Sequence, residues 1–184
     1  MLAIAPQRCS PQLTARIYDE FVIGGPNAHQ YWYRARNHLN GSIFGPLRIM
    51  FNYVVLEVCK HLPSLSLKRW VLGKLGMKLG HNVTIASGVT LDYFFPELIE
   101  IGDNTIVGMN TMILTHEFLP DRFRKGRVRI GCGCMIGAQS TLLAGVDISE
   151  FTTVCAMSLV HKGTPIKAFV AGVPIQIIKP KTCS

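Results

Sequence analysis

An apolar residue returns at every sixth position through the second half of this chain. Stepping by six from Met77 lands on Val83, Val89, Phe95, Ile101, Val107 and Ile113. A second run from Ile130 lands on Ile136, Leu142, Ile148, Val154, Val160 and Ile166. Four residues after most of these anchors stands something small or β-branched: Ser87, Thr105, Thr111, Cys134, Ser140, Val146, Thr152 and Ser158. Six is a multiple of the strand period of two but not of the helical 3.6, so each unit fits a short strand plus a turn. One such unit cannot bury its apolar side alone, and successive units must stack. The beat predicts a mainly β fold, a parallel β-helix of hexapeptide units around a column of aliphatic side chains. A β-sandwich with alternating strands does not predict one spacing sustained twice. Gly and Asn in Ile101-Gly-Asp-Asn-Thr105 suit the tight corners of such a prism.

Before the ladder the pattern changes. From Pro46 to about His61, apolar residues Leu47, Met50, Phe51, Val54, Val55 and Val58 follow helical three-and-four spacing. Pro63 ends that run, and Ser64 or Ser66 can cap a second helix through Trp70, Leu72 and Leu75. A β-helix exposes strand edges at its ends, so residues 46–75 are read as a helical cover, with membrane contact by them a minor alternative that is possible but not expected. Residues 1–40 read as irregular, with Tyr31, Trp32 and Tyr33 among scattered Pro, Gly and Asn. The ladder breaks once. Ile113 to Ile130 is seventeen residues, one short of three hexads. The segment 114–129 is therefore an extruded loop, the place where a rigid scaffold carries function.

Length and charge narrow the class. At 184 residues the chain is one domain able to bury a core. No apolar run reaches the ~20 residues that cross a bilayer, and Met1 to Ala5 lacks a signal-peptide stretch, so a cytoplasmic protein is expected. Six scattered cysteines without a CxxC read as small apolar fillers. The net charge of +8 is concentrated in Arg122, Arg124, Lys125, Arg127 and Arg129. No nucleic-acid-binding motif accompanies them, which leaves a solvated loop or a pocket for a phosphorylated small molecule.

Among six histidines, His116 stands out, three residues past an anchor at the root of the loop. A neutral imidazole there can take a proton from an incoming hydroxyl, and Glu117 beside it can help fix the tautomer. There is no G-x-S-x-G for serine hydrolysis. The glycines between Gly131 and Gly137 lack a phosphate loop's Gly-Lys-Ser/Thr ending and are explained by hexad corners.

Several pieces in order, Ile101-Gly-Asp-Asn-Thr-Ile106, Thr115-His116, Ile130-Gly-x-x-x-Met-Ile-Gly137, Leu143-Ala-Gly-Val146 and Ala171-Gly-Val-Pro174 through Ile178-Lys179, carry a family resemblance. From about residue 70 to 180 the chain resembles the hexapeptide-repeat acyltransferases, in particular the maltose and galactoside O-acetyltransferase-like group. The resemblance implies a left-handed parallel β-helix over 77–170 with the loop 114–129, an arm and helical cap over 1–76, and a tail over 171–184. It implies transfer of an acetyl group from acetyl-CoA, without a metal, to a hydroxyl of a sugar or other small acceptor. His116 falls where the family keeps its general base, and Asp92 near an acidic residue that holds the acceptor, with Glu117 beside the base. Acetyl-CoA positions fall on Ala138, Ala156, His161 and Lys162, with Lys179 placed to meet phosphate. Gln176 stands where relatives carry a cation, and Met135 where sugar acetyltransferases often have tryptophan. Relatives are homotrimers with sites in the grooves between prisms. Two other activities share the fold, a non-catalytic scaffold and a γ-carbonic-anhydrase-like metal protein with His81 as its second ligand.

Overall fold

The computed structural model describes residues 12–22, 45–119 and 122–178. Three parallel ladders form the faces of a prism. The first face stacks β2 (Lys78–Leu79), β5 (Ile99–Ile101), β10 (Val128–Ile130) and β13 (Asp147–Ile148). The second stacks β3 (Thr84–Ile85), β6 (Ile106–Val107), β11 (Met135–Ile136), β14 (Thr153–Val154) and β16 (Phe169–Ala171). The third stacks β4 (Thr90–Leu91), β7 (Met112–Ile113), β12 (Thr141–Leu142) and β15 (Leu159–Val160). Each two-residue strand of the ladders turns one residue inward, and the three-residue β5 and β10 turn two. Val107, Ile113, Leu142, Ile148, Val154 and Val160 are fully buried in one core.

The second beat satisfies polar groups inside the prism. The hydroxyls of Thr105 and Thr111 donate to the carbonyls of Gly131 and Gly137 on the next coil, at 2.8 and 3.2 Å. Ser140 and Thr152 do the same to Cys155 and Pro165, both at 3.1 Å. At the corners Asn82 and Asn104 take positive φ (53° and 55°), and their amides bond each other at 3.0 Å. Gly137 is required for space: a Cβ there would meet the Ala156 nitrogen at 2.3 Å. Ile136 sits at the centre of its ladder and is 1 % exposed. Replacing it with Ala should cost about 2–5 kcal/mol of unfolding free energy, read from denaturant midpoints.

The structure corrects the register of the first run. Core pairing runs Leu79 with Ile101, Ile85 with Val107 and Leu91 with Ile113. Val83 and Val89 occupy the small-residue position four beyond the true anchors Leu79 and Ile85. Being apolar and buried, they mimic anchors. Ten residues separate Leu91 from Ile101, so four extra residues restore the phase, and Phe95 belongs to that insertion rather than to the ladder. At the other end Val154 pairs with Val170, a coil two residues shorter than the regular one, which leaves Ile166 65 % exposed.

Two helices pack on the first coil: α1 (Gly45–His61) and α2 (Leu65–Lys74). Ser64 caps α2, its hydroxyl accepting from Leu67 N–H at 3.4 Å. Leu56, Cys59, Leu72 and Leu75 extend the prism core into this cover. Buried Lys68 donates to the first coil's carbonyls of Ile85 and Ala86, both at 3.2 Å. The segment read as an extruded loop is a hairpin of β8 (His116–Phe118) and β9 (Arg122–Lys125). From the stretch read as irregular, β1 (Asp19–Val22) pairs antiparallel with β9. Tyr31, Trp32 and Tyr33 lie outside the described residues. After β16, β17 (Gln176–Ile177) folds back antiparallel along it.

Candidate active site

The third face builds the site. Because Leu91 pairs with Ile113, the residues leaving β4 and β7 emerge side by side at one corner. One exit carries Asp92 at the start of the four-residue insertion; the other carries Thr115 and His116 at the root of the hairpin. Asp92 is 4 % exposed. Its Oδ1 accepts from Phe94 N–H at 2.8 Å, and its Oδ2 accepts from Thr115 N–H at 2.8 Å and faces His116 Nδ1 at 2.5 Å. The insertion is braced from behind by Asn52 of α1, whose amide donates to the Tyr93 carbonyl at 3.0 Å.

Protonation states follow from these bonds. Burial raises the Asp92 carboxyl, but the hydrogen bond and charge of His116 and the bonds from Thr115 outweigh it, and its pKa ends below the ordinary 3.8. An ionised carboxylate only accepts, so His116 Nδ1 carries a proton, and in the neutral ring Nε2 is the atom that presents a lone pair. No hydrogen bond from a described residue reaches Nε2. The ring is enclosed by aromatic side chains: centroids lie 4.5 Å from Phe94, 5.0 Å from Phe118, 6.0 Å from Phe95 and 6.1 Å from Phe123. Lys125 Nζ sits 4.2 Å over the Phe95 ring. The His116 side chain keeps 13 % of its surface open. This arrangement can accept a proton from a hydroxyl and hold the resulting imidazolium against Asp92.

Folding lowers the Asp92 pKa. The stabilisation it supplies is therefore full above the unfolded value near 3.8 and is lost as the pH falls through the lower folded value. Wild-type urea midpoints should thus fall more steeply below about pH 4 than those of Asp92→Asn.

The other expected positions fall differently. Tautomer control, suggested for Glu117, rests with Asp92. Neighbouring strand residues point to opposite faces, and Glu117 bonds Arg16 at 2.5 Å and lies 3.7 Å from Arg124. Asp92, suggested to hold the acceptor, has both carboxylate oxygens committed to the chain's own donors. The loop's basic residues are largely engaged as well: Arg122 and Arg124 bond Glu20 at 2.8 and 2.7 Å, Arg127 reaches Glu100 at 3.3 Å, and Arg129 reaches Asp147 at 3.5 Å. Ala138 and Ala156 stack at the corner entering the third face. His161 and Lys162 follow β15 at the corner leaving it, on the His116 side and two coils along. A single chain thus splits these positions between opposite edges of one face. Gln176 is exposed on β17, and Lys179 lies outside the described residues. Among the described residues no three His, Cys, Asp or Glu side chains converge as a metal would require. His81 lies at a corner of the first coil, its N–H bonded to Asp103 at 2.7 Å.

A family profile described as the hexapeptide repeat of succinyl-transferase matches residues 127–156. YvoF of Bacillus subtilis (strain 168), which carries the name of an acetyltransferase, is 43% identical over 136 residues, covering 73% of this chain and 79% of that protein. This chain belongs to the hexapeptide-repeat acetyltransferases. Among solved structures, the hexapeptide-repeat acetyltransferase VCA0836 of Vibrio cholerae complexed with acetyl coenzyme A superposes with a TM-score of 0.64 at 18% identity, covering 76% of this chain and 90% of that one. A maltose O-acetyltransferase from Clostridium difficile 630 gives 0.61 at 18% identity, over 76% and 89%. Like these proteins, this acetyltransferase is a left-handed β-helix. The pairing of Asp92 with His116 is the feature of its site that the sequence reading missed, having given the residue to the acceptor and tautomer control to Glu117. An acidic residue directly after a ladder anchor, one coil before the histidine, was the signal available.

Proposed function

We propose that this acetyltransferase moves an acetyl group from acetyl-CoA to a hydroxyl of a sugar, with His116 as general base and Asp92 as its positioning residue. The observation that carries this reading is the lone pair of Nε2, fixed by the Asp92 bond and ringed by aromatic side chains. The acceptor O–H gives its proton to Nε2 as its oxygen attacks the thioester carbonyl carbon. The tetrahedral oxyanion collapses, the carbon–sulfur bond breaks, and the imidazolium returns the proton to the CoA thiolate. Asp92 balances the imidazolium charge between these two transfers. The partly exposed phenyl ring of Phe118 offers a flat apolar surface against which a pyranose face packs, with buried Phe94 behind the His116 ring.

The working unit in this reading is a homotrimer. The outward residues of the second face include Ile106 and Met135, each about half exposed, with Met109 and Met157 at its corner. Outward residues of the first face are instead Lys78, Glu100, Arg129 and Asp147. An apolar outer face fits burial against a second prism. The split of Ala138 and Ala156 from His161 and Lys162 fits a donor groove walled by two chains.

The test is to incubate the protein with acetyl-CoA and a panel of mono- and disaccharides and to follow free CoA thiol. A sugar-dependent thiol signal with an alkali-labile ester product, from a particle that scatters light as three chains, is expected. Thiol release with amine acceptors alone, or a monomer at micromolar concentration, would overturn the reading.

A further inference from the structure

α1 is apolar on two sides, and the prism uses only one. Ile49, Asn52, Leu56 and Cys59 face inward. On the opposite side Leu47, Met50, Phe51, Val54 and Val58 form a stripe at helical spacing, each exposing more than half its surface. A helix that only covers the end of a β-helix needs one apolar face, with a polar outer one. No described residue covers this stripe. The charge of this segment is one-sided: residues 45–76 hold five Lys or Arg against a single acid, Glu57, and with Lys68 buried against the prism and Lys60 paired with Glu57, Arg48, Arg69 and Lys74 remain. Arg48 is half-exposed, 3.7 Å from Glu97. On α2, Trp70 is 63 % exposed with Lys74 Nζ 5.7 Å over its ring, the aromatic-and-cation pairing favoured at a bilayer interface.

We propose that the outer face of α1, flanked by the Trp70–Lys74 edge of α2, docks this protein onto an anionic lipid surface. Neither helix is long and apolar enough to cross a membrane. A 17-residue helix is also only about 25 Å long, so α1 lies in the plane of the headgroups, its stripe in the acyl boundary. The positive surround distinguishes a bilayer from a second copy of the same face. Two copies would bring like charges together, whereas anionic headgroups neutralise them. Docking is independent of the acyl-transfer reading, because the stripe lies on the side of α1 away from Asn52 and the His116 corner.

The experiment is sedimentation of the full chain with vesicles of phosphatidylcholine alone and of phosphatidylcholine containing about one-third phosphatidylglycerol. The wild type should pellet with the anionic vesicles and be released by high salt. The double variant Phe51→Ser, Val54→Ser should bind at least about tenfold more weakly, with its circular dichroism spectrum unchanged. Three results overturn the proposal: no pelleting of the wild type, equal binding to neutral vesicles, or undiminished binding by the double variant. A wild type that ignores vesicles but dissociates into smaller particles on the double substitution assigns the face to self-association. One that ignores vesicles without such a change leaves the stripe to the chain's own residues 23–44.

Discussion

His116→Ala should lose about 10²–10⁴-fold of CoA-releasing turnover while keeping its fold. The loss belongs to one proton. An acceptor hydroxyl is a poor nucleophile until its proton has somewhere to go, and Nε2 is the atom the site leaves ready to take it. The imidazole is a small part of the packing, since Phe94, Phe95 and Phe123 hold the corner together around it. The variant should therefore unfold cooperatively near the wild-type midpoint. Its KM for acetyl-CoA should change little, because the ring is assigned to proton transfer and not to donor binding. Turnover equal to wild type would remove His116 from the chemistry.

Asp92→Asn should cost on the order of 10²-fold in kcat. The carboxylate takes three donors: Phe94 N–H on one oxygen, Thr115 N–H and His116 Nδ1–H on the other. An amide has one oxygen, so at least one donor must face an NH₂ group. If that donor is His116, the ring is driven to the other tautomer and Nε2 loses its lone pair. If it is a backbone N–H, the insertion shifts and the ring loses its seat. In both cases the residue acts through His116, so the effects should not add. The double variant His116→Ala, Asp92→Asn should turn over no more slowly than His116→Ala alone. A purely structural Asp92 would instead lower stability with kcat preserved.

The ladder was legible because its period conflicts with a helix and because one inward residue per strand must be apolar. Phase was harder to read. Val83 and Val89, like Val146, are apolar at the position that otherwise takes Thr, Ser or Cys, so the step of six ran two residues short of the true anchors until the insertion at Asp92 restored it. That hidden insertion delivers Asp92 to His116, twenty-four residues away in sequence but adjacent through the pairing of Leu91 with Ile113. The histidine was visible because it stands where the ladder breaks; Asp92 was singled out only through the family resemblance, and its pairing with His116 was hidden because no break was visible there. The strand β1 gave no signal either. Asp19 and Glu20 are exposed, and the strand is tied to the hairpin by backbone pairing and the Glu20–Arg122 and Glu20–Arg124 bonds. Length and helical spacing announced α1, but an apolar residue on its outer side looks the same in sequence as one on its inner side.

The most direct test of the account is a crystal structure of the protein with CoA bound. The account predicts the CoA sulfur within roughly 5 Å of His116 Nε2, close enough for an acceptor hydroxyl to lie between them, with Nδ1 still bonded to Asp92. A sulfur seated elsewhere on the prism, or an Nε2 sealed from the thiol by the phenyl rings, would contradict it.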